Sequence, residues 1–340
     1  MPSGAINKAT ARRKAPVTMR RLTLPLPESF NFVRTVQSHG WFDLPPFSWD
    51  AKRSRLTRTL LLPGAGPAVA EIQFVAKDPG RSIAATITAL RPIERTDTAS
   101  AARAIAHMFR LNEDLESFYR RADEVARPDL KWAAGRGAGR LLRSPDAFED
   151  LVKMICTTNC TWALTRVMVS ALVERGGAEG PGGARLFPGA EAMAGRPERF
   201  YRDVVRAGYR GAFLRSLARR VARGELDPAA WNDVSRPTAE IREEILSVDG
   251  AGRYVADNML KLLGRYDGLG IDSWCRRKYS EMYHGGRAVG DPRIARFYEP
   301  FGTYRGLALW CDITRDWFDG DTPMLDTAGG ADKFPGAASS

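Results

Sequence analysis

The hydrophobic pattern changes its period along the chain, from the two-residue repeat of β-strands to the repeat of α-helices. Apolar side chains occupy every second position over residues 70–76, and small or apolar side chains do so again over residues 83–89. The sequence Asp78-Pro79-Gly80 between these runs is typical of a tight turn. Such alternation predicts an antiparallel sheet with one buried face, and we place this sheet within residues 21–97.

Beyond residue 98 the apolar positions recur at intervals of three and four residues, which indicates helices. Ser144-Pro145 is typical of a helix start, with Ser144 as the cap and Pro145 in the first turn. The sequence Thr157-Thr158-Asn159 interrupts the apolar pattern of that helix, and a second helix follows it. Further helices are predicted near residues 113–125, 198–206, 211–223 and 238–247.

Together these patterns predict an α+β protein, in which an antiparallel β domain precedes a mostly α-helical body. The helical body covers residues 98–324. Residues 1–20 form a basic tail and residues 325–340 a polar one, and we expect both tails to be disordered.

One helix pair is joined by an unusually tight turn over residues 246–254. Ile241 and Ile245 mark the incoming helix, and Val255 and Met259 mark the outgoing one. The turn itself is Gly250-Ala251-Gly252, and glycine permits backbone angles and close approaches that other residues do not. The first N–H groups of the outgoing helix lack helical partners and form a site for an anion such as a DNA phosphate. An ordinary corner between two helices is the alternative.

A carboxylate follows the outgoing helix in the sequence Gly270-Ile271-Asp272-Ser273-Trp274. The apolar neighbours of Asp272 imply partial burial, which is costly for a carboxylate unless it is paired or functional. An ionised carboxylate stabilises the positive charge that develops on a sugar during glycosidic cleavage. Asp-Ser is equally a good helix start, so a capping role for Asp272 is the alternative.

Composition narrows the possible partners. The net charge is +11, and six of the basic residues lie within residues 1–22, where there is no acid, so the remainder carries +5. A basic balance fits a polyanionic partner. No apolar run is long enough to span a membrane and no secretory signal is evident, so we expect a cytoplasmic protein.

Cysteines and histidines exclude several chemistries. The four cysteines, Cys156, Cys160, Cys275 and Cys311, have no spacing typical of a zinc site, an iron–sulfur cluster or a disulfide framework. Reduced and mostly buried thiols are therefore expected. With three histidines in 340 residues, a histidine-based triad or a histidine-rich metal centre is not expected.

Four motifs follow one another along residues 140–318. They are the helix and loop over residues 141–159, Ala207-Gly208-Tyr209-Arg210, the hairpin over residues 248–256, and Ile271-Asp272. In this order they resemble the helix-hairpin-helix DNA glycosylase superfamily, and most of all its 8-oxoguanine and inducible 3-methyladenine branches. The resemblance implies a DNA-repair enzyme that flips a damaged base out of duplex DNA and hydrolyses its glycosidic bond.

The resemblance implies a role for each matching residue. Asp272 falls on the catalytic aspartate, and Gly250, Ala251 and Gly252 fall on the hairpin that binds a DNA phosphate. No cofactor is required, although the family's hairpin carbonyls also hold K⁺ or Na⁺ when DNA is bound. In this chain those carbonyls would belong to Leu246, Val248 and Ala251.

Three further positions match residues that act on the DNA stack. Asn159 falls on the residue that fills the gap left by the flipped base, and a turn residue is the alternative. Tyr209 falls on a wedge residue, and a core aromatic is the alternative. Arg210 falls on a reader of the orphaned opposite base.

One departure from the family pattern bears on the reaction mechanism. Bifunctional members carry a lysine where this chain has Tyr254, and a phenol cannot form a Schiff base. We therefore expect a monofunctional enzyme, with Lys261 on the same helix exposed to solvent.

The base pocket also departs from the family pattern. Apolar Leu309 and Ile313 replace the polar and aromatic base contacts of the oxoguanine enzymes, and Leu164 replaces an arginine. An apolar pocket favours recognition by stacking, as cationic alkylpurines allow. The expected pocket residues are Trp162, Tyr254, Asn258, Leu309 and Ile313, with Trp310 as a further stacking candidate.

The resulting hypothesis is a monofunctional DNA glycosylase that acts as a monomer on double-stranded DNA containing a damaged base, most often an alkylated purine. Two alternatives remain open. One is an 8-oxoguanine glycosylase/lyase that uses an unusual amine, and the other is an inactive module that binds lesions.

Overall fold

The computed structural model describes residues 17–77 and 80–318, and it confirms the predicted division into a sheet and a helical body. Five strands form one antiparallel sheet in the order β1-β5-β4-β3-β2. The strands are β1 (Thr18–Pro25), β2 (Phe47–Asp50), β3 (Arg55–Leu62), β4 (Gly66–Lys77) and β5 (Gly80–Ala89).

The alternating pattern produces one buried sheet face. Ile72 on β4 pairs with Ala85 on β5, and both side chains are buried. The buried face of β4 ends there, because Phe74 is 38% exposed, whereas the alternation predicted burial up to residue 76. The turn predicted at Asp78-Pro79-Gly80 lies mostly outside the described residues, and β4 and β5 pair up to Lys77 and Gly80 on either side of it.

The described residues form thirteen α-helices. One of them, α1 (Phe32–Val36), lies between β1 and β2, where only strands were predicted. The others are α2 (Arg95–Met108), α3 (Glu116–Glu124), α4 (Trp132–Gly135), α5 (Ala147–Thr157), α6 (Trp162–Gly176), α7 (Ala190–Ala194), α8 (Arg210–Ala222), α9 (Thr238–Leu246), α10 (Arg253–Leu262), α11 (Ser273–His284), α12 (Asp291–Tyr298) and α13 (Arg305–Ile313). A π-helical segment, Phe200–Val204, stands where a helix over residues 198–206 was expected.

Two predicted boundaries were wrong. Residues 18–20, assigned to the disordered tail, begin β1, because they pair with residues 87–89 of β5. Helix α5 is capped by Asp146 and not by Ser144, since the Asp146 side chain accepts a hydrogen bond from the N–H of Glu149 at 2.9 Å. The rest of the predicted tails, residues 1–16 and 325–340, lies outside the described residues.

A buried ionic cluster joins the sheet to the helical body. Arg58 on β3 donates two hydrogen bonds to Glu149 on α5, at 2.8 and 2.6 Å, and Lys153 contacts the same carboxylate at 2.6 Å. All three side chains are almost fully buried. Burial alone disfavours the Glu149 carboxylate, but the positive charges of Arg58 and Lys153 outweigh burial and lower the Glu149 pKa to about 2.

The same helix holds a segment of the N-terminal domain against the helical body. The indole N–H of Trp41 donates to Asp150 of α5 at 2.7 Å, and both residues are buried. The ring of His39, which packs against Trp41, contacts the Leu142 carbonyl at 2.5 Å. Residues 39–41 are thereby fixed beside α5 and reach the site described below.

The structure bears on two compositional predictions, and it confirms the one about the cysteines. All four cysteines are free and buried. No helix in the described part of the chain has the length and apolar character needed to cross a membrane.

Candidate active site

The glycine hairpin joins α9 to α10 and exposes the start of α10. Gly250 has φ +81°, and a Cβ there would lie 2.4 Å from a ring carbon of Phe213, so the position excludes side chains. Gly252 caps α10 in an extended conformation and has open space around its Cα. Both Gly252 and Arg253 are exposed. The first turn of α10 therefore presents free N–H groups to solvent, as an anion-binding site requires.

Asp272 caps α11 and also lines the cleft in front of the hairpin. One carboxylate oxygen accepts a hydrogen bond from the Cys275 N–H at 2.7 Å. The cleft, called the hairpin cleft below, is lined by Asn159, Tyr209, Gly250, Gly252, Tyr254 and Asp272. The capping interpretation is thus correct, and it is compatible with a chemical role because the side chain also reaches the cleft.

Burial and the neighbouring groups have opposite effects on the pKa of Asp272. Partial burial raises its pKa above the ordinary value, while the Cys275 N–H and the charges of Lys261 and Arg276 act in the opposite direction. A carboxylate that is desolvated but still hydrogen-bonded interacts strongly with a nearby positive charge.

The loop before Asp272 is fixed to both hairpin helices. Asp257 on α10 accepts a hydrogen bond from the Gly270 N–H at 3.1 Å. Arg242 on α9 donates to the same Asp257 and also contacts Asp267 at 3.2 Å. Gly270 has φ +60° and packs directly on the Asn258 amide. The position of the carboxylate is therefore tied to the position of the hairpin.

The loop after α5 forms another side of the hairpin cleft. Asn159 has φ +45°, and its amide lies 3.5 Å from the hydroxyl of Tyr209, whose side chain is 55% exposed. These placements suit residues that contact a large ligand in the cleft.

Arg210 lies behind the Asn159 loop and not in the open part of the hairpin cleft. Its side chain is buried, and its guanidinium donates to the carbonyls of Thr158 and Asn159, the latter at 3.0 Å. The Tyr209 ring covers the guanidinium carbon at 4.5 Å. In this structure Arg210 supports the Asn159 loop, and its role as a reader of the opposite base stays a prediction.

Behind the cleft lies a cavity walled by aromatic side chains, here called the aromatic cavity. It is lined by His39, Trp41, Trp162, Tyr254, Lys261 and Trp310, among others. A smaller inner pocket adjoins it and contains Asp272 together with Asn258, Leu309 and Ile313. The predicted pocket residues therefore do lie around connected spaces, while their roles stay predictions.

Some lining residues were missed by the sequence analysis. His39 and Trp41 arrive from the N-terminal domain, more than 200 residues before Tyr254, and no local pattern connects them. Burial lowers the pKa of His39 to about 4, so this ring is neutral at neutral pH. Lys261 did carry a signal, because it lies seven residues after Tyr254 and so on the same face of α10.

The prediction that Lys261 is exposed to solvent was wrong. Its side chain is 3% exposed, and its ammonium donates to the Leu269 carbonyl at 2.7 Å and to the Asn258 amide oxygen at 3.1 Å. The loop over residues 264–271 covers it. Burial lowers the pKa of this ammonium to about 8, against the attraction of Cys275, Asp257 and Asp272.

The described residues include no group of three or more histidine, cysteine or acidic side chains that could hold a metal ion. The cation implied by the resemblance would instead rest on the carbonyls of Leu246, Val248 and Ala251. Val248 and Ala251 belong to one turn, in which the Val248 carbonyl accepts from the Ala251 N–H at 2.9 Å. A carbonyl oxygen has a second lone pair, so this donor set is compatible with a monovalent cation.

The fold matches that of several solved DNA glycosylases. The chain resembles the 3-methyladenine DNA-glycosylase from Archaeoglobus fulgidus with a TM-score of 0.66 at 20% identity, over 87% of this chain and 99% of that one. It resembles the apo 8-oxoguanine glycosylase/lyase from Clostridium acetobutylicum with a TM-score of 0.65 at 18% identity, over 87% and 98%.

A third solved structure, MBOgg1 in complex with a low-affinity DNA ligand, matches with a TM-score of 0.65 at 21% identity, over 88% of this chain and 99% of that one. No family model matches the chain, and no curated protein matches it. At these identities the likeness establishes the architecture, which agrees with the fold that the four sequence motifs implied.

Proposed function

We propose that this protein is a DNA glycosylase that hydrolyses the N-glycosidic bond of a damaged base in duplex DNA. One observation carries the proposal: Asp272 lines the same cleft as the glycine hairpin and adjoins a cavity with aromatic walls. A phosphate site, a carboxylate and a stacking cavity are the three parts that excision of a flipped base needs. Their common position in a fold shared with solved glycosylases supports this function.

Binding begins at the backbone of the DNA. The N–H groups at the start of α10, with Gly250 and Gly252 allowing close approach, bind one phosphate. Asn159 and Tyr209 occupy the gap in the base stack. The extruded base enters the aromatic cavity, and its unstacking costs a few kcal/mol, less for a mispaired or damaged base.

In the chemical step the bond between C1′ and the base nitrogen breaks, and the electron pair leaves with the base. The Asp272 carboxylate stabilises the resulting oxocarbenium-like sugar and orients a water molecule. The water oxygen bonds to C1′ and its proton is released through Asp272 or solvent. The products are an abasic site and a free base.

The enzyme is proposed to be monofunctional, because Tyr254 stands where a Schiff-base lysine would be needed. Burial raises the pKa of the Tyr254 hydroxyl, which keeps the phenol neutral. The aromatic walls support a purine recognised by stacking, and an alkylated purine is the first substrate that we propose. The partner is double-stranded DNA, bound by a monomer within the cytoplasm.

The test is release of base from duplexes that each contain one 3-methyladenine, hypoxanthine or 8-oxoguanine. Abasic sites, detected by cleavage after alkali, are expected with at least one duplex. Strand nicking without heat or alkali, together with a borohydride-trapped covalent complex, would show a lyase and contradict the monofunctional proposal. Tight lesion binding without release of any base would instead favour an inactive lesion-binding module.

The proposed cation has its own test. Association with a duplex containing an abasic-site analogue is measured in K⁺, in Na⁺ and in a bulky organic cation at equal ionic strength. Stronger binding in K⁺ or Na⁺ is expected if carbonyls of Leu246, Val248 and Ala251 bind the ion. Equal binding in all three salts would contradict it.

A further inference from the structure

Lys261 is a buried charge with no carboxylate partner in the described part of the chain. Lys153, another buried lysine, shows the usual compensation, because its ammonium lies 2.6 Å from the Glu149 carboxylate. Among the described residues, the Lys261 ammonium has two neutral oxygens within hydrogen-bond distance, those of Leu269 and Asn258. Burial of a cation that contacts only neutral oxygens lowers the stability of the fold. Such a group is therefore a candidate for a functional role.

The position of Lys261 indicates that use. It lines both the aromatic cavity and the inner pocket that contains Asp272. Its ammonium also lies 5.9 Å from the centre of the Trp310 ring, which forms a wall of both spaces. An ammonium has three N–H donors and the described residues supply acceptors for two, so one donor remains for a base in the cavity.

We propose that Lys261 donates a proton to the departing base, and that this extends the enzyme's substrates to neutral purines with a carbonyl or ring-nitrogen acceptor. This inference rests on the proposed function. A cationic alkylpurine leaves as a neutral base and needs no proton. A neutral purine would leave as an anion, which is unfavourable. A proton donor at the edge of the purine avoids this cost, because the base then leaves as a neutral molecule.

The step is balanced within the site. As the C1′–N bond breaks, its electron pair moves onto the purine, and a proton passes from the Lys261 Nζ to a ring nitrogen or carbonyl oxygen of that purine. Water adds to C1′ beside Asp272 and gives up a proton, which restores the ammonium through solvent. Lys261 thereby acts on the leaving group and Asp272 acts on the sugar.

The experiment compares the wild-type protein with Lys261→Met on two kinds of duplex under single-turnover conditions. One kind carries hypoxanthine or 8-oxoguanine, which are neutral, and the other carries 3-methyladenine or N7-methylguanine, which are cationic. The variant should lose about 10²–10⁴-fold in excision of the neutral bases. Excision of the cationic bases should fall much less than excision of the neutral bases, because a cationic base needs no proton to leave and methionine retains the stem of the side chain.

The matched control is Lys52→Met, which removes an exposed lysine in the turn between β2 and β3 and should leave both rates unchanged. Circular dichroism checks that both variants fold. A second measurement needs no variant: excision of the neutral bases by the wild type should fall as pH rises through about 8, where the Lys261 ammonium loses its proton.

Several other titratable groups face Lys261. They are Asp257 and Tyr254 on α10, Asp272 and Cys275 at the start of α11, and His39 from the N-terminal domain. Burial raises the pKa of Cys275 to about 12 and also raises that of Tyr254, while it lowers the pKa of His39 to about 4, so none of these three titrates near pH 8. Excision of a cationic base should therefore show no loss near pH 8.

Three results would overturn the inference. The first is an equal loss of both substrate kinds in Lys261→Met. The second is a wild type that releases cationic bases and no neutral ones, which would leave the proposed function intact. The third is a borohydride-trapped complex that disappears in Lys261→Met, which would make Lys261 a nucleophile. Release of no base from any duplex would refute the proposed function and this inference with it.

Discussion

Replacing Asp272 with asparagine separates its capping role from its charge. Asparagine is as good a helix cap as aspartate, and its side-chain oxygen can keep the 2.7 Å hydrogen bond from the Cys275 N–H. The substitution removes only the negative charge that faces the sugar in the proposed mechanism. Loss of one preorganised electrostatic contact in such a site lowers the rate about 10²–10³-fold, or ~2.7–4 kcal/mol.

Although Asp272→Asn should lower the excision rate, it should not lower the stability of the folded protein. The pKa of Asp272 is raised by burial, so the ionised form is less favourable in the folded protein than in the unfolded chain. Asparagine avoids this cost, and the Tm of Asp272→Asn should equal or exceed that of the wild type. Asp272→Ala loses the cap as well and should be less stable than Asp272→Asn by about 1 kcal/mol.

The assay is single-turnover excision from the best substrate duplex, with duplex binding and thermal unfolding measured on the same preparations. Binding of an abasic-site analogue should change little, since the hairpin is intact. Excision by Asp272→Asn within threefold of the wild type would refute the catalytic assignment. A lowered Tm that accounts for the lost activity would refute the separation of the two roles.

Three further predictions concern the hairpin, the domain junction and pH. Gly250→Ala should weaken duplex binding at least tenfold in a titration, because the new Cβ meets Phe213 at 2.4 Å and the φ of +81° disfavours alanine; unchanged binding would contradict this. Glu149→Gln leaves Arg58 without its buried partner and should reduce the free energy of unfolding by about 3–5 kcal/mol in a denaturant titration, whereas a loss below 1 kcal/mol would show the ion pair to be dispensable. Excision should decline on the acid side at a pH above the ordinary carboxyl range, because Asp272 must be ionised and its pKa is raised; a flat acid profile down to pH 4 would contradict this.

The sequence predicted those parts of the fold that depend on local pattern. Strands β4 and β5, the interruption after α5 and the hairpin between α9 and α10 all follow from periodicity and glycine placement. The cap of α5 was misplaced because Ser144 and Asp146 are both good caps. The tertiary structure uses Ser144 elsewhere, since its hydroxyl donates to Glu149 at 3.0 Å.

The parts that could not be predicted depend on contacts between distant segments. The hydrogen bond from the Trp41 indole to Asp150 helps to hold Trp41 at the aromatic cavity, and no periodicity in either segment reveals that pairing. Lys261 was expected in solvent because lysine is rarely buried. Its burial follows from the loop that folds over α10, whose carbonyl at Leu269 accepts from the ammonium.

The support that Arg210 gives to the Asn159 loop has a consequence for discrimination between intact and damaged DNA. Because its carbonyls are hydrogen-bonded to Arg210, this segment needs less ordering when a partner binds, and the entropic cost of association is smaller. In the proposed function, a rigid Asn159 loop would enter the base stack only where the stack opens easily. A lesion that weakens its own base pair would then be selected over intact DNA.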